Sequence, residues 1–138
     1  MISPPPVAAD WLPLREPELC TAGVWWDAIR VSEDLGRMAL GLLRERGQRS
    51  APAILDPRSL EPRMYLLVPV NASRDWHEPG TVALGDGSHV VVPPYEHTEG
   101  PGLHWFAQPK SARIFLNTAQ LRDALTYLIS AEADGAEL

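Results

Sequence analysis

Two hydrophobic periods alternate along this chain, and each change of period marks an element. Residues 23–31 (Gly-Val-Trp-Trp-Asp-Ala-Ile-Arg-Val) are apolar on both sides of an extended backbone, which predicts a central strand. Ser32 then has the side chain of an N-cap, and Glu33 and Asp34 complement a helix N-terminus. Leu35, Met38, Ala39, Leu42 and Leu43 recur at helical spacing and share one face, while Arg37, Arg44 and Glu45 fall on the solvated side. Gly47 closes this helix as its C′ residue. Further on, 53–56 predicts a short strand, Asp56-Pro57-Arg58-Ser59 a turn, and 64–70 a strand that Pro69 ends or confines to an edge. A loop over 71–80 leads to short strands at 81–84, 88–93 and 103–107. Asn117 or Thr118 opens a last helix on which Leu121, Ala124, Leu125, Leu128 and Ile129 share a face. The order β-α-β-β-β-β-β-α, with hairpin-length connections in its second half, predicts an α+β fold. Its sheet is largely antiparallel or mixed, of about five to six strands, and is covered by two main helices.

The sharpest punctuation lies at 84–94, Leu-Gly-Asp-Gly-Ser-His-Val-Val-Val-Pro-Pro, followed by Glu99-Gly100-Pro101-Gly102-Leu103-His104-Trp105. Gly85 and Gly87 suit a tight turn, Val90, Val91 and Val92 prefer the pleat, and Pro93-Pro94 cannot continue a ladder. A phosphate cradle here would want a longer glycine spacing, a lysine and a following helix N-terminus. A hairpin turn accounts for the glycines without them.

A chain of 138 residues suits one domain, here 22–131, between an extended proline-rich arm at 1–21 and a small polar tail at 132–138 that frays. Pro4, Pro5 and Pro6 favour polyproline II, and Trp11, Leu12 and Leu14 can pin the arm to the body. Fourteen prolines point to a loop-rich domain. Lys110 is the only lysine among 12 basic residues, a bias that fits GC-rich coding. The net charge of −6 weighs against a protein whose whole surface grips a phosphate backbone, although a local basic patch stays compatible with it. Cys20 is the only cysteine, so no intrachain disulfide forms. Without a signal-peptide pattern or an apolar run of membrane-spanning length, the expectation is a cytoplasmic protein with no membrane contact.

Candidate chemistry is sparse. His77, His89, His97 and His104 show no helical metal-ligand spacing, although a hairpin would set His89 across from His104. Cys20 has no nucleophile elbow around it. Asp27 interrupts an apolar strand and needs a partner if buried, and Arg63 is one candidate. Trp25 and Trp26 are adjacent, so within a strand they point to opposite faces. One of them at most fills a helix-covered core, and the other meets a second layer, a partner or solvent.

On the stretches 84–94 and 99–105, with Met64-Tyr65-Leu66-Leu67-Val68-Pro69 before them, the chain resembles the N-terminal catalytic domain of bifunctional primase-polymerases of the archaeo-eukaryotic primase superfamily. The likeness spans roughly 23–105. It implies a strand with two aspartates one residue apart, a histidine on a later strand and a third acid before the glycine turn, together holding divalent metal and nucleotide phosphates. Laid on that pattern, Asp27 occupies the first aspartate position. The second falls at Ile29, the histidine near Arg63 and the third acid near Val82. An isoleucine and a valine cannot ligate a hard cation. The resemblance therefore implies a catalytically degenerate, shortened relative with no metal and no cofactor.

The leading expectation is a non-catalytic interaction or regulatory module that binds a protein partner or a second copy of itself. Its binding candidates are Trp25, Trp26, Arg63, Asp86, His89 and His104. Retained binding of single-stranded nucleic acid or nucleotide is the alternative, and it requires the arginines to gather on one side. An enzyme of different chemistry built on Asp27, Arg63 and the histidines is a further alternative.

Overall fold

The computed structural model describes residues 10–49 and 51–136, of which 132–136 by backbone alone. The proline triplet at 4–6 lies outside the described residues. Strands β1 (Glu18–Thr21), β2 (Asp27–Ser32), β3 (Ala53–Asp56), β4 (Arg63–Val68), β5 (Val82–Leu84), β6 (His89–Val92) and β7 (His104–Ala107) accompany helices α1 (Glu33–Glu45) and α2 (Thr118–Ala136) and a 3-10 turn at Ala72–Asp75. Every strand pair is antiparallel. One sheet has five strands in the order β5-β2-β4-β3-β7, and β1 and β6 form a separate two-stranded ribbon. The fold is α+β, with a five-stranded antiparallel sheet covered by two helices, as the periodicity predicts. Among the described residues no helix is long and apolar enough to cross a membrane.

The pleat sorts the strand residues into two cores. Ile29, Val31, Ala53, Leu55, Met64, Leu66 and Val68 face the helices, where they meet Ala39, Leu40, Leu43, Leu121, Ala124 and Leu125. Their alternates Ala28, Ile54 and Leu67 face the other way and are covered by Val90 and Val92 of the ribbon with Trp11, Leu12, Trp26 and Trp105. A sheet apolar on both faces needs a layer on each side. The third layer is the part the sequence leaves unseen. Trp11 is its centre, edge-on to Trp26 at 6.1 Å and to Trp105 at 6.3 Å between ring centroids. Trp105 also donates Nε1–H to the Pro93 carbonyl at 3.0 Å, tying β7 to the residue that ends β6.

Several boundaries depart from the periodic reading. The segment expected as an arm carries β1, and although Trp11 and Leu12 are buried, Leu14 is 73% exposed. β2 begins only at Asp27, because Ala22–Trp25 make a turn in which Gly23 has φ +91°. Strand alternation therefore never governs Trp25 and Trp26. Neither enters the helix-covered core: Trp26 fills the second core, and Trp25 lies at the surface. On α1 the buried face is rotated from expectation to Gly36, Ala39, Leu40 and Leu43, leaving Met38 half exposed. Gly36 causes this rotation, since a Cβ there would stand 2.6 Å from the Met64 sulfur, so the helix seats its bare backbone on β4.

The helix ends follow the sequence. Ser32 Oγ accepts from Leu35 N–H at 3.2 Å, and Asn117 Oδ1 accepts from Gln120 N–H at 3.0 Å. Gly47, at φ +92°, ends α1: its N–H reaches the Arg44 carbonyl and Gln48 N–H the Leu43 carbonyl, the paired bonds of a Schellman motif.

The glycine turn at 85–88 does not close a hairpin. Ser88 N–H donates to the Gly85 carbonyl at 2.9 Å with Gly87 at φ +88°, but the turn carries the chain from β5 in the large sheet to β6 in the ribbon. Only Gly87 uses positive φ. Gly85 is needed for space: a Cβ there would collide with Ser73 Oγ and lie 3.5 Å from Asp27 Oδ2.

Candidate functional site

The positions that the primase-polymerase resemblance singles out do not converge. Asp27 is 1% exposed at the start of β2. Its Oδ2 accepts from Ser73 N–H at 3.0 Å and from Ser73 Oγ–H at 2.7 Å, while Oδ1 is buried without a hydrogen-bond partner. Arg63 is not its counter-ion. β2 and β4 are neighbours, but their antiparallel register sets Arg63 opposite Ser32, at the far end of the pair, and Asp27 opposite Val68. Ile29 is fully buried against the helices, and Val82 pairs with Arg30 at the sheet edge, 40% exposed. Among the described residues no three His, Cys, Asp or Glu side chains gather where they could hold a metal ion.

The remaining binding candidates are also dispersed. His89 and His104 do not face each other, because they belong to different sheets. His89 pairs with Thr21, whose Oγ1 is 3.3 Å from its Nδ1, and His104 sits opposite Leu55 with Nδ1 2.7 Å from the Gly102 carbonyl. Asp86 is exposed in its turn, with its backbone packed so closely on Gly23 that a Cβ there would stand 2.8 Å from Asp86 Cα. Trp25 is 46% exposed beside Val24 at 60%. Cys20 is half-buried, and burial, with the Glu18 carboxylate second, pushes its thiol above the ordinary value.

Another set of side chains does converge. A groove of about 920 Å³ runs between α1 and the segment that follows β7. Arg37, Arg44 and Arg49 line one side, Lys110 and Phe106 the other, and no lining residue among those described is acidic. Four of the chain's 12 cations thus share one concavity, although acids outnumber bases 18 to 12 overall. Arg37 is anchored: its Nε lies 2.7 Å from Glu33 Oε2, and its guanidinium stands 4.7 Å over the Phe106 ring centroid. Arg44, Arg49 and Lys110 form no ion pair among the described residues. Such a site presents N–H donors, positive charge and aromatic surface, a combination suited to phosphate groups attached to flat rings.

A second cleft of about 580 Å³ opens beside Gly100–Leu103, but its charges are mixed. Glu96 and Glu99 line it, and its one arginine, Arg58, is already paired with Asp56 at 2.8 Å.

The sequence places Arg37 and Arg44 on a solvated helix face, which is correct, but gives no sign that Lys110 and Phe106 meet them across the groove. The readable trace was a single helix stripe, Arg37-Gly41-Arg44-Gln48, at spacings of four, three and four. The opposite wall depends on β7 occupying the sheet edge, a long-range pairing that no local period reveals. No family model, no curated protein and no solved structure matches the chain.

Proposed function

We propose that this is a primase-polymerase-like domain that binds single-stranded nucleic acid in the α1–β7 groove without catalysing phosphoryl transfer. The carrying observation is the gathering of Arg37, Arg44, Arg49 and Lys110 in one groove with no lining acid among the described residues, on a chain of net charge −6. Phosphate affinity comes from clustered cations rather than overall charge, and an acidic remainder keeps strands from adhering elsewhere. Asp27 is not part of this groove. It sits on β2, three strand spacings from β7, about 14 Å at the usual strand separation, and its carboxylate is occupied by Ser73.

Fluorescence anisotropy with a labelled oligothymidylate of about 15 nucleotides tests this reading. Three unpaired cations engaging phosphates give a log–log salt slope near −2, since each contributes about −0.7 on a single strand. Arg44→Ala and Lys110→Ala each weaken binding and flatten the slope. No binding at low salt overturns the proposal. Metal-dependent nucleotide incorporation that Asp27→Ala abolishes overturns its non-catalytic half.

One observation favours a second reading, self-association. Among the described residues β1 has an unpaired edge, and Leu19 upon it is 66% exposed, with Val24 and Trp25 in the turn that follows. Two copies pairing through this edge would cover those side chains. A dimer by light scattering that Trp25→Ala dissolves supports it.

A further inference from the structure

Glycine inside a helix lowers its stability relative to alanine, so a helical glycine usually has a packing reason. α1 contains two. Gly36 has its reason in Met64. Gly41 has none among the described residues: a Cβ built on it meets nothing within 4 Å, the residue is exposed, and its φ is not left-handed. Yet Gly41 lines the basic groove, on the same helix stripe as Arg37 and Arg44. Helical side chains lean toward the N-terminus, so any side chain at 41 would extend over the turn that Arg37 occupies.

Arg37 is the other half of this arrangement. Glu33 holds one edge of its guanidinium, Phe106 covers one face, and the side chain stays 48% exposed. A guanidinium fixed in this way, with its charge already partnered, is better suited to stacking under a flat ring than to gripping a phosphate. Arg44 lies seven residues along α1, about 10 Å by helix rise, a distance covered by roughly three stacked nucleotides.

Resting on the nucleic-acid reading above, we infer that the Arg37 guanidinium and the bare backbone at Gly41 form a shelf on which one nucleobase of the strand stacks. Arg44 takes a phosphate of the same strand. A side chain at position 41 would occupy the place of the base.

The test pairs thermal melting with binding of two strands of equal length, an oligothymidylate and an abasic deoxyribose-phosphate strand. Gly41→Ala is expected to raise the melting midpoint by about 3 °C while weakening oligothymidylate binding several-fold. Gly41→Leu weakens it about tenfold or more, the size of effect expected for one lost base stack. Arg37→Lys, which keeps the charge but not the plane, weakens oligothymidylate binding, and each of the three variants loses more affinity for oligothymidylate than for the abasic strand. If the variants bind oligothymidylate at native strength, or lose both strands equally, the shelf is overturned while the groove stands. If the native protein binds neither strand, the groove and the shelf both fall.

Discussion

The Asp27 carboxylate hangs from β2 with one oxygen held twice by Ser73 and the other unpartnered, and Gly85 keeps the space beside it clear. Removing one of the two donors to this buried carboxylate costs about 1–3 kcal/mol, so Ser73→Ala should lower the unfolding free energy by that amount, read as a lower urea midpoint with m unchanged. Gly85→Ala should also destabilise, because its methyl group meets Ser73 Oγ. In the Ser73→Ala background that penalty shrinks, and a double-mutant cycle on urea midpoints will show the coupling. Sequence alone marks Asp27 as needing a partner and names Arg63, which the register then carries to the other end of the strand pair. Ser73 lies 46 residues from Asp27 in a 3-10 turn, and nothing in the intervening chain signals the contact. Cys20 makes a simpler case. Its thiol is pushed up by burial, and only the thiolate attacks, so iodoacetamide at pH 8 should modify it more slowly in the native protein than in urea.

Among the elements, those written in local chemistry were legible. Ser32 caps α1, Gly47 ends it, Asn117 starts α2, and β3 and β4 lie within two residues of where their apolar runs predict them. Ser32→Ala should cost about 1 kcal/mol, read by thermal or urea unfolding. β1 was not legible because Glu18–Thr21 is mostly exposed and shows no apolar alternation; its strand character comes from pairing with β6. The turn at 85–88 looked like a hairpin because hairpins and sheet-changing turns use the same glycine chemistry. At the end of β3, the Arg58 guanidinium beside Asp56 holds that carboxyl below the usual carboxylate range, first by its hydrogen bond. A lowered folded-state value means the pair stabilises the fold above about pH 4 and stops doing so as pH falls through that lowered value. Asp56→Asn should therefore flatten the acid-side loss of stability, with a smaller difference in high salt because the pair is near the surface.

For the whole molecule, the stacking of three layers decides what can be removed. Trp105 joins the sheet to the ribbon, and Trp105→Ala should cost about 3–5 kcal/mol, measured by denaturant unfolding. A chain beginning at Ala22 loses Trp11, Leu12 and β1, and with them the cover over Trp26 and Leu67. Such a chain should bind hydrophobic dyes and lose cooperative melting, whereas a dispensable arm would leave both unchanged.

The ribbon also has a consequence during synthesis. β1 pairs with residues 68–74 positions later in the chain, Thr21 with His89 and Glu18 with Val92. At about 5–20 residues per second, a ribosome releases β1 roughly 4–15 seconds before it makes β6. For that interval the first strand has an open edge and Trp11 lacks most of its cover, so the nascent chain, more than the finished domain, is the state in which this protein is exposed to chaperones and to its neighbours on a polysome.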